Sequence, residues 1–428
     1  MNNSINHIKA PSYTPDLNRA LPPQKEETNF SASDSVSIGT EYKSEINGSD
    51  PKKWTVLHYG AADNNISSSI INNALELESI GSDKNINIVA QLDVGEKPPK
   101  GYEMDAGCKR YYFKSPTESF AIPLESEQIN MADPKVLADF VEWGIKNYPA
   151  ENYMLIMSSH GKGWEGMIVD RSHKGFMSTP EIREALESAK NSTGKKIDVI
   201  GFDACSMASV EVAAELSDVA DYMVASQNTT HKSGWSYSKI FSDSGEYQIN
   251  GSNSSFNFSP EEAAKKLVEA SISTDGIQTL SALELSKINL LTESTANFTK
   301  ELKSGIDNKS LIKKLAKESK TFHSLGKYRF IDQYDFASKI SQSSDIKNKK
   351  LKEAAVGMME SIKSLVISEY HNENFEGANG ISIEMSSNGL GTERYNNLLF
   401  AKETLWNEAN ADKGIKKLWN SLMNFLED

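Results

Sequence analysis

Short, uninterrupted apolar segments alternate with amphipathic helical segments between residues 54 and 225. The apolar, strand-like segments are 54–60, 86–92, 153–159, 197–202 and 222–225. Apolar residues recur at helical spacing in 64–80, 134–147, 181–189 and 209–216. A strand that is apolar along its whole length is typical of a parallel sheet covered by helices on both faces. The chain is therefore expected to be an α/β protein with a mainly parallel central sheet.

The two ends of the chain differ from this alternating region. Residues 1–50 are polar, rich in Ser and Asn, and interrupted by four prolines, so they bury too little apolar surface to fold. They are predicted to form a disordered leader. Residues 51–258 hold the alternating core, in which 238–258 is predicted to be a surface loop rich in Ser, Asn and Gly. Residues 259–428 are mainly helical in pattern, with two strand-like interruptions, and are expected to complete the fold.

Composition excludes several classes of protein. The formal net charge is −13, with 59 acidic and 46 basic residues, so the surface repels phosphate backbones and no nucleic-acid partner is expected. No segment approaches the ~20 apolar residues that span a bilayer. Cys108 and Cys205 are too few for a disulfide framework or a cysteine-rich zinc site, and no metal site is predicted. The first residues also lack the basic and apolar regions of a secretory signal peptide.

Polar residues suited to catalysis follow two successive apolar strands of the pattern. His160 and Gly161 follow one of them, and Asp203 and Cys205 follow the next. If helix 181–189 connects two neighbouring parallel strands, both groups emerge at the carboxyl edge of the sheet, where ligands bind in open α/β folds. Adjacent strands lie ~4.8 Å apart, so the imidazole and the thiol could flank one peptide bond.

A thiol and an imidazole at one sheet edge can perform nucleophilic catalysis. The thiolate is the reactive form of cysteine, and a nearby imidazole takes the thiol proton or protonates the leaving amine. Because Cys205 precedes a predicted helix, the helix N-terminus is expected to stabilise its thiolate. The N–H groups of Gly161 and Cys205 are candidate donors to the oxyanion. The alternative is that Cys205 and His160 are ordinary core residues.

The sequence around these residues resembles the clostripain family of cysteine peptidases, within the caspase–haemoglobinase clan. Residues 153–164 resemble its histidine motif, and the sequence DACSM at 203–207 resembles its cysteine motif. The likeness extends over about residues 53–385. It implies a caspase-like three-layer sandwich with helix-rich C-terminal additions. It also implies a cysteine endopeptidase with His160 as proton carrier and Cys205 as nucleophile.

The resemblance further implies a pocket for a basic side chain at P1, the residue before the scissile bond. Asp203 matches the acidic residue with which family members bind Arg or Lys, Trp235 matches a pocket wall, and Ser226 lies in the substrate-pocket segment. A pocket carboxylate can pair with a guanidinium through two hydrogen bonds. Asp203 could instead be a helix cap near Cys205, and Trp235 could simply pack. Residues 226–228 are uncharged where relatives usually carry acidic residues, so we expect a less negative cleft.

Family members are often matured by a cut between the histidine and cysteine strands. In this chain that interval contains Arg171 and Lys174 within a polar, loop-like stretch, which is accessible to cleavage. Self-cleavage after Lys174, or after Arg171, is therefore predicted. The protein is then expected to be a monomer, or a heterodimer of its two fragments after the cut.

Two other functions are compatible with the same residues: a binding or scaffold protein that keeps the peptidase fold without turnover, and a peptide ligase that passes the thioester to an amine. Retention of both His160 and Cys205 favours the peptidase. The expected partners are protein or peptide substrates, with no cofactor and at most a weak calcium dependence. Location is left open between the cytoplasm and export without a classical signal, because the leader also resembles those of exported bacterial effectors.

Overall fold

The computed structural model describes residues 51–102, 105–114, 119–122, 124, 129–231, 233–241, 256–272, 276–304, 309–324, 328–386, 389–390, 392–404 and 406. The leader predicted for 1–50 and most of the loop predicted for 238–258 lie outside these residues. Within the described ranges, no helix combines the length and the apolar character needed to cross a membrane.

A nine-stranded sheet forms the centre of the described structure. The described residues form fourteen strands in all, nine of them in this sheet: in chain order, β1 (Lys52–Ala61), β2 (Ile86–Asp93), β3 (Cys108–Tyr112), β4 (Phe120–Ile122), β5 (Ala150–Ser158), β6 (Met167–Asp170), β7 (Gly175–Met177), β8 (Ile197–Asp203), β9 (Ala220–Ala225), β10 (Thr279–Glu284), β11 (Thr321–Ser324), β12 (Tyr328–Asp332), β13 (Val366–His371) and β14 (Ser382–Glu384). The order across the sheet is β13-β10-β9-β8-β5-β1-β2-β3-β4. The five strands from β9 to β2 are parallel, and antiparallel strands flank them on both sides. The mainly parallel sheet expected from the sequence is confirmed.

Helices cover both faces of this sheet. They are, in chain order, α1 (Ser67–Ile80), α2 (Pro134–Asn147), α3 (Thr179–Thr193), α4 (Val210–Leu216), α5 (Tyr237–Phe241), α6 (Pro260–Ser271), α7 (Ile288–Ser304), α8 (Lys309–Glu318), α9 (Gln333–Gln342), α10 (Lys349–Leu365), α11 (Glu393–Asn396) and α12 (Leu399–Thr404). α1, α5 and α6 share one apolar core with the sheet, and α2–α4 with α7–α10 share the other. The result is the three-layer arrangement that the resemblance implied.

The alternation of side chains along each strand explains why the central strands are apolar throughout. On β1, Leu57 and Tyr59 enter the core on the α2 side, whereas Trp54 and Val56 enter the core on the α1 side. On β5, Leu155 belongs to the first core and its neighbours to the second. Successive strand residues point to opposite faces, so a strand with helices on both sides has no solvent-facing position to fill with polar residues.

Local capping chemistry sets where two of the helices begin. Asp133 caps α2 by accepting a hydrogen bond from the backbone N–H of Lys135 at 2.9 Å. The cap of α3 is Ser178, which forms a reciprocal capping box with Glu181. Thr179 is the first helical residue, and its hydroxyl donates to the carbonyl oxygen of Trp164 at 3.0 Å.

The region after residue 258 contains more strands than its helical pattern indicated. β10 and β13 extend the central sheet, and β11, β12 and β14 form a separate antiparallel sheet. Only β10 and β14 were anticipated, at 279–283 and 380–385. The predicted surface loop also needs correction at its ends, because 237–241 is helical and Phe256 is buried against the rings of Trp54 and Phe241.

Candidate active site

The pairing of β5 with β8 brings the two candidate motifs to one edge of the sheet. Ser158 and Asp203 are opposite each other in the parallel register, and His160 and Cys205 each lie two residues beyond that pair. The chain segments are in direct contact there. A Cβ atom built on Gly161 would lie 2.3 Å from the carbonyl oxygen of Cys205. No side chain larger than hydrogen fits at this position without displacing backbone.

The Cys205 thiol lies half-buried in a tight turn after β8. The backbone N–H of Thr230 donates to its sulfur at 3.3 Å. Ser206 follows with φ +62°, a left-handed conformation that is unusual outside glycine. The helix that follows, α4, begins only at Val210 and is capped by Ser209, so Cys205 is not at its first turn, and stabilisation of the thiolate by this helix stays a prediction. The hydrogen-bond donor at the sulfur comes from the loop after β9.

Burial favours the uncharged form of both candidate catalytic groups. Burial raises the pKa of the Cys205 thiol, the Thr230 N–H opposes this, and the negative charge of Asp203 adds to it. Burial lowers the pKa of the His160 imidazole, and the positive charges of Arg171 and Lys162 lower it further. At neutral pH this pair therefore rests as a thiol and a neutral imidazole rather than as an ion pair.

The neighbouring strand β1 supplies a partner that orients His160. The ring atom Nε2 lies 2.9 Å from the side-chain oxygen Oδ1 of Asn65, which follows the end of β1. Because this oxygen can only accept, Nε2 carries the proton and Nδ1 is left as the basic atom. The Asn65 contact therefore decides which ring nitrogen can take a proton, and that nitrogen is Nδ1.

Two backbone amides at the contact have no hydrogen-bond acceptor among the described residues. The N–H of Lys162 donates to the carbonyl oxygen of Gly166 at 2.9 Å. Within the described part of the chain, neither the N–H of Gly161 nor that of Cys205 donates to another group. The amides of Gly161 and Cys205 are thus unpaired on adjoining segments of the described chain, and their role as oxyanion donors stays a prediction.

Asp203 is a buried carboxylate with three donors on one oxygen. Its Oδ2 accepts hydrogen bonds from Asn73 Nδ2 at 2.9 Å, from the backbone N–H of Trp235 at 3.2 Å and from the Tyr237 hydroxyl at 3.0 Å. Gly234 lies so close that a Cβ atom there would be 2.6 Å from the same oxygen. These contacts hold the carboxylate at the end of β8, two residues from the thiol.

Burial and hydrogen bonding shift the pKa of Asp203 in opposite directions. Burial raises its pKa to about 6, the hydrogen bonds from Trp235 and Tyr237 lower it, and the charge of Glu76 raises it. The carboxyl is therefore mostly ionised at neutral pH, but only because the donors offset part of the desolvation.

The other two predicted pocket residues are buried. Trp235 is 1% exposed, and its ring packs against Gly201 of β8, where a Cβ atom would lie 2.9 Å from the indole. Ser226 is 2% exposed, and its hydroxyl contacts the Thr279 hydroxyl at 2.8 Å. The contact of Trp235 with Asp203 is therefore made by its backbone N–H and not by its ring. The hydroxyl of Ser226 links the end of β9 to β10. Their roles in substrate binding stay predictions.

The two predicted cleavage residues lie in the turn between β6 and β7. Arg171 and Lys174 are both exposed, and Lys174 adopts a left-handed conformation with φ +53°. The turn is fastened to the sheet edge, because Asp63 accepts hydrogen bonds from the backbone N–H groups of Arg171 and Ser172. The stretch expected to be a loop is thus the tip of a hairpin. It lies close to His160, because the charge of Arg171 lowers the pKa of that imidazole.

An acidic cluster beside this hairpin could supply ligands to a cation. Asp63, Asp93 and Asp170 each offer one carboxylate oxygen, and these atoms lie within 4.8 Å of one another. A neighbouring cavity of about 290 Å³ is lined in part by Asp63 and Asp93. Three oxygen ligands are fewer than the six to eight that calcium prefers. The expectations of no metal site, no cofactor and at most weak calcium dependence stay predictions.

Sequence reasoning missed the residues that support the site. Asn65, Asn73, Thr230 and Tyr237 come from four separate segments of the chain. Asn65 carried a signal because it follows an apolar strand as His160 does, and Tyr237 carried one because it lies two residues after Trp235 in the segment that resembles the substrate pocket. Cys108, by contrast, is 0% exposed beside Met131, which agrees with an incidental thiol.

Comparison with known proteins identifies the family. The sequence model of the clostripain family, peptidase C11, matches residues 58–419. The chain belongs to the clostripain family. It is therefore a cysteine endopeptidase that acts on peptide substrates. Clostripain from Hathewaya histolytica is 26% identical over 405 residues, which cover 79% of this chain and 76% of that protein.

Solved structures show the same fold. An inactive zymogen of a C11 protease from Parabacteroides distasonis has a TM-score of 0.60 at 20% identity, covering 83% of this chain and 99% of that one. A secreted C11 cysteine protease from Bacteroides thetaiotaomicron, solved with an irreversible peptide inhibitor, has a TM-score of 0.59 at 19% identity with the same coverage. The caspase-like architecture that the clostripain resemblance implied is thereby confirmed.

The contact at Gly161 generates a direct test of the site geometry. Gly161→Ala is expected to lower the free energy of unfolding by about 1–3 kcal/mol, because the added methyl group must displace the Cys205 backbone. Chemical denaturation measures the loss. The matched control is Gly357→Ala, in the middle of α10, where no atom of the described residues lies within 4 Å of the new Cβ. Its free energy of unfolding is expected to rise by about 0.5–1 kcal/mol. Equal effects of the two substitutions would contradict the described contact.

Proposed function

We propose that this clostripain-family peptidase cleaves peptide bonds after Arg or Lys through a thioester on Cys205, with His160 as proton carrier. The observation that supports this most is the packing of the His160-Gly161 segment directly against the Cys205 backbone, with a buried carboxylate two residues away. Nucleophile, proton carrier, amide donors and a group for a basic side chain are then within one small region.

In the proposed reaction the thiol sulfur attacks the scissile carbonyl carbon while Nδ1 of His160 takes the thiol proton. The Asn65 contact keeps Nε2 protonated, so Nδ1 is free for this step. The carbonyl oxygen becomes an oxyanion that accepts hydrogen bonds from the N–H groups of Gly161 and Cys205. His160 then gives its proton to the leaving amine, and the C–N bond breaks.

The acyl group remains on Cys205 as a thioester until water completes the reaction. His160 removes a proton from the water, the hydroxide oxygen adds to the thioester carbon, and the C–S bond breaks. The thiolate leaving group recovers the proton from His160. A ligase would use an amine in place of this water, and a scaffold protein would form no thioester.

Asp203 is the proposed partner of the basic P1 side chain. Its Oδ2 is occupied by three donors, so we assign the second oxygen, Oδ1, to the substrate cation. A partly desolvated carboxylate binds a guanidinium or an ammonium much more strongly than an exposed one does. Residues 226–228 carry no negative charge, so Asp203 provides the main attraction for the cation in this proposal.

The catalytic assignment predicts that Cys205→Ala abolishes hydrolysis of fluorogenic peptides ending in Arg or Lys. A basic chloromethyl ketone should label the wild-type protein at Cys205, as measured by peptide mass mapping. The matched control is Cys108→Ala, which removes the other thiol, buried beside Met131, and should keep turnover and labelling. Turnover by the Cys205→Ala protein would contradict the mechanism. A spliced product in the presence of an added amine would point to the ligase.

The specificity assignment predicts a selective loss in Asp203→Asn. The substitution keeps the shape of the side chain and removes its charge, so kcat/KM for an Arg substrate should fall by about a hundredfold or more. A substrate with citrulline at P1, which is an uncharged analogue of Arg, should be affected far less. An equal loss on both substrates would show that Asp203 supports the fold rather than the P1 preference.

We also propose that the chain cuts itself after Lys174 or Arg171, at the exposed tip of the β6–β7 hairpin. Intact-mass analysis is expected to find two fragments for the wild type and one full-length chain for Cys205→Ala. Lys174→Ala should block the cut or move it to Arg171. Lys195→Ala is the matched control, because Lys195 is exposed in the same interval of sequence and lies outside the hairpin. A full-length wild-type chain would contradict self-cleavage.

A further inference from the structure

A connected series of buried polar groups ends on the carboxylate of Asp203. His58 Nε2 lies 3.0 Å from Ser158 Oγ, Ser158 Oγ lies 3.4 Å from the Tyr237 hydroxyl oxygen, and that hydroxyl donates to Asp203 Oδ2 at 3.0 Å. His58 and Tyr237 are 0% exposed, and Ser158 is 1% exposed. These residues come from β1, β5 and α5, and none of them was assigned a role at the site from the sequence.

The direction of every hydrogen bond in this series follows from its two ends. Asp203 as a carboxylate can only accept, so the Tyr237 proton points to it. The Tyr237 oxygen must then accept a hydrogen bond from the Ser158 hydroxyl. Because the Ser158 proton is used in that bond, the Ser158 oxygen must in turn accept a hydrogen bond from His58. His58 must therefore be protonated on Nε2, which leaves Nδ1 as a lone pair without a donor. Among the described residues Nδ1 is indeed a buried atom without a hydrogen-bond partner. The other tautomer would bury an unpaired N–H and break the series at Ser158.

We propose that His58, Ser158 and Tyr237 are positioning residues whose aligned O–H and N–H groups hold Asp203 ionised and oriented for a basic P1 side chain. The proposal rests on the role of Asp203 given above and extends it to the residues behind the pocket. Aligned hydrogen bonds polarise one another, and their positive ends all point at the carboxylate. The three residues contact Asp203 or each other rather than the substrate.

The surroundings of Asp203 make such support necessary. Asp203 is buried on the sheet face that α1 and α5 cover, because its carboxylate accepts hydrogen bonds from Asn73 of α1 and Tyr237 of α5. Of the titratable groups around it, Glu76 on α1 raises its pKa, the Cys205 thiol is uncharged, and no cation acts on it among the described residues. Its ionised form therefore depends on neutral donors: Asn73, the Trp235 backbone and Tyr237.

The side chains of His58, Ser158 and Tyr237 themselves stay uncharged between pH 5 and pH 8. Burial lowers the pKa of His58 to about 4, well below the pKa of about 6 for Asp203. Burial also raises the pKa of the Tyr237 hydroxyl well above its ordinary value. Between pH 5 and pH 8 a change in preference for a charged P1 residue thus reports Asp203 and not its supporting residues.

The test measures the ratio of kcat/KM for an Arg substrate to that for its citrulline analogue as a function of pH. Ionisations of Cys205 and His160 affect both substrates and cancel in this ratio. Protonation of Asp203 removes the attraction for Arg, so the wild-type ratio should fall as pH decreases, with a midpoint near 6. Tyr237→Phe removes one donor, raises the pKa of Asp203 and should move the midpoint upward by about one pH unit.

Two further variants test the inner part of the series. Ser158→Ala should move the midpoint in the same direction by a smaller amount, because it leaves the Tyr237 bond in place. His58→Leu should behave similarly, whereas His58→Gln should restore the wild-type midpoint, because a side-chain amide can donate to Ser158 as Nε2 does. The matched control is Tyr59→Phe. It removes a buried hydroxyl that donates a hydrogen bond to the carbonyl oxygen of Met131 on the opposite face of the sheet, so the midpoint should stay unchanged.

Each outcome separates this inference from the proposed function. A wild-type ratio that titrates, together with midpoints in Tyr237→Phe and Ser158→Ala equal to the wild type, overturns the positioning role and leaves Asp203 as the P1 partner. A wild-type ratio near one at every pH overturns the role of Asp203, and the inference with it. A purely structural role would slow both substrates equally without moving the midpoint, and it too would overturn the inference. If Tyr237→Phe does not fold, Ser158→Ala and His58→Leu decide.

Discussion

The parallel hydrogen-bond ladder between β5 and β8 sets Ser158 beside Asp203, and the chain continues in step beyond both strands. His160 and Cys205 therefore reach the same edge without a long loop to bring them together. The approach is close enough that the position after His160 accepts only glycine. The same ladder brings the proposed P1 acid to the end of β8, so one strand pair positions both candidate catalytic residues and the carboxylate proposed for the pocket.

Burial on both faces stabilises this sheet and also makes every charge near its edge unfavourable. The effect is visible in three groups at once: the pKa of the Cys205 thiol is raised, that of the His160 imidazole is lowered, and that of the Asp203 carboxyl is raised to about 6. The first two shifts favour an uncharged resting pair. The third would weaken binding of a basic side chain, and the donors around Asp203 oppose it.

The spacing of apolar residues along the sequence was sufficient to predict the central strands and most helices of the core. Helix α2 begins and ends where the pattern placed it, because a proline, a capping Asp and a regular apolar stripe all act within one segment. β11, β12 and β13 were missed, since short strands carry little periodicity and pair with distant partners. Phe256 was misplaced on the surface for the same reason: its partners Trp54 and Phe241 come from other elements.

The sequence by itself determined the α/β class, the edge at which the two motifs meet and the candidate residues His160 and Cys205, because strand period and chain order are local properties. The tertiary structure alone decided which groups surround them. Thr230 at the thiol, Asn65 at the imidazole and Tyr237 at the pocket acid come from separate segments. Side-chain direction and burial depend on how those segments pack, and no spacing along the chain encodes that.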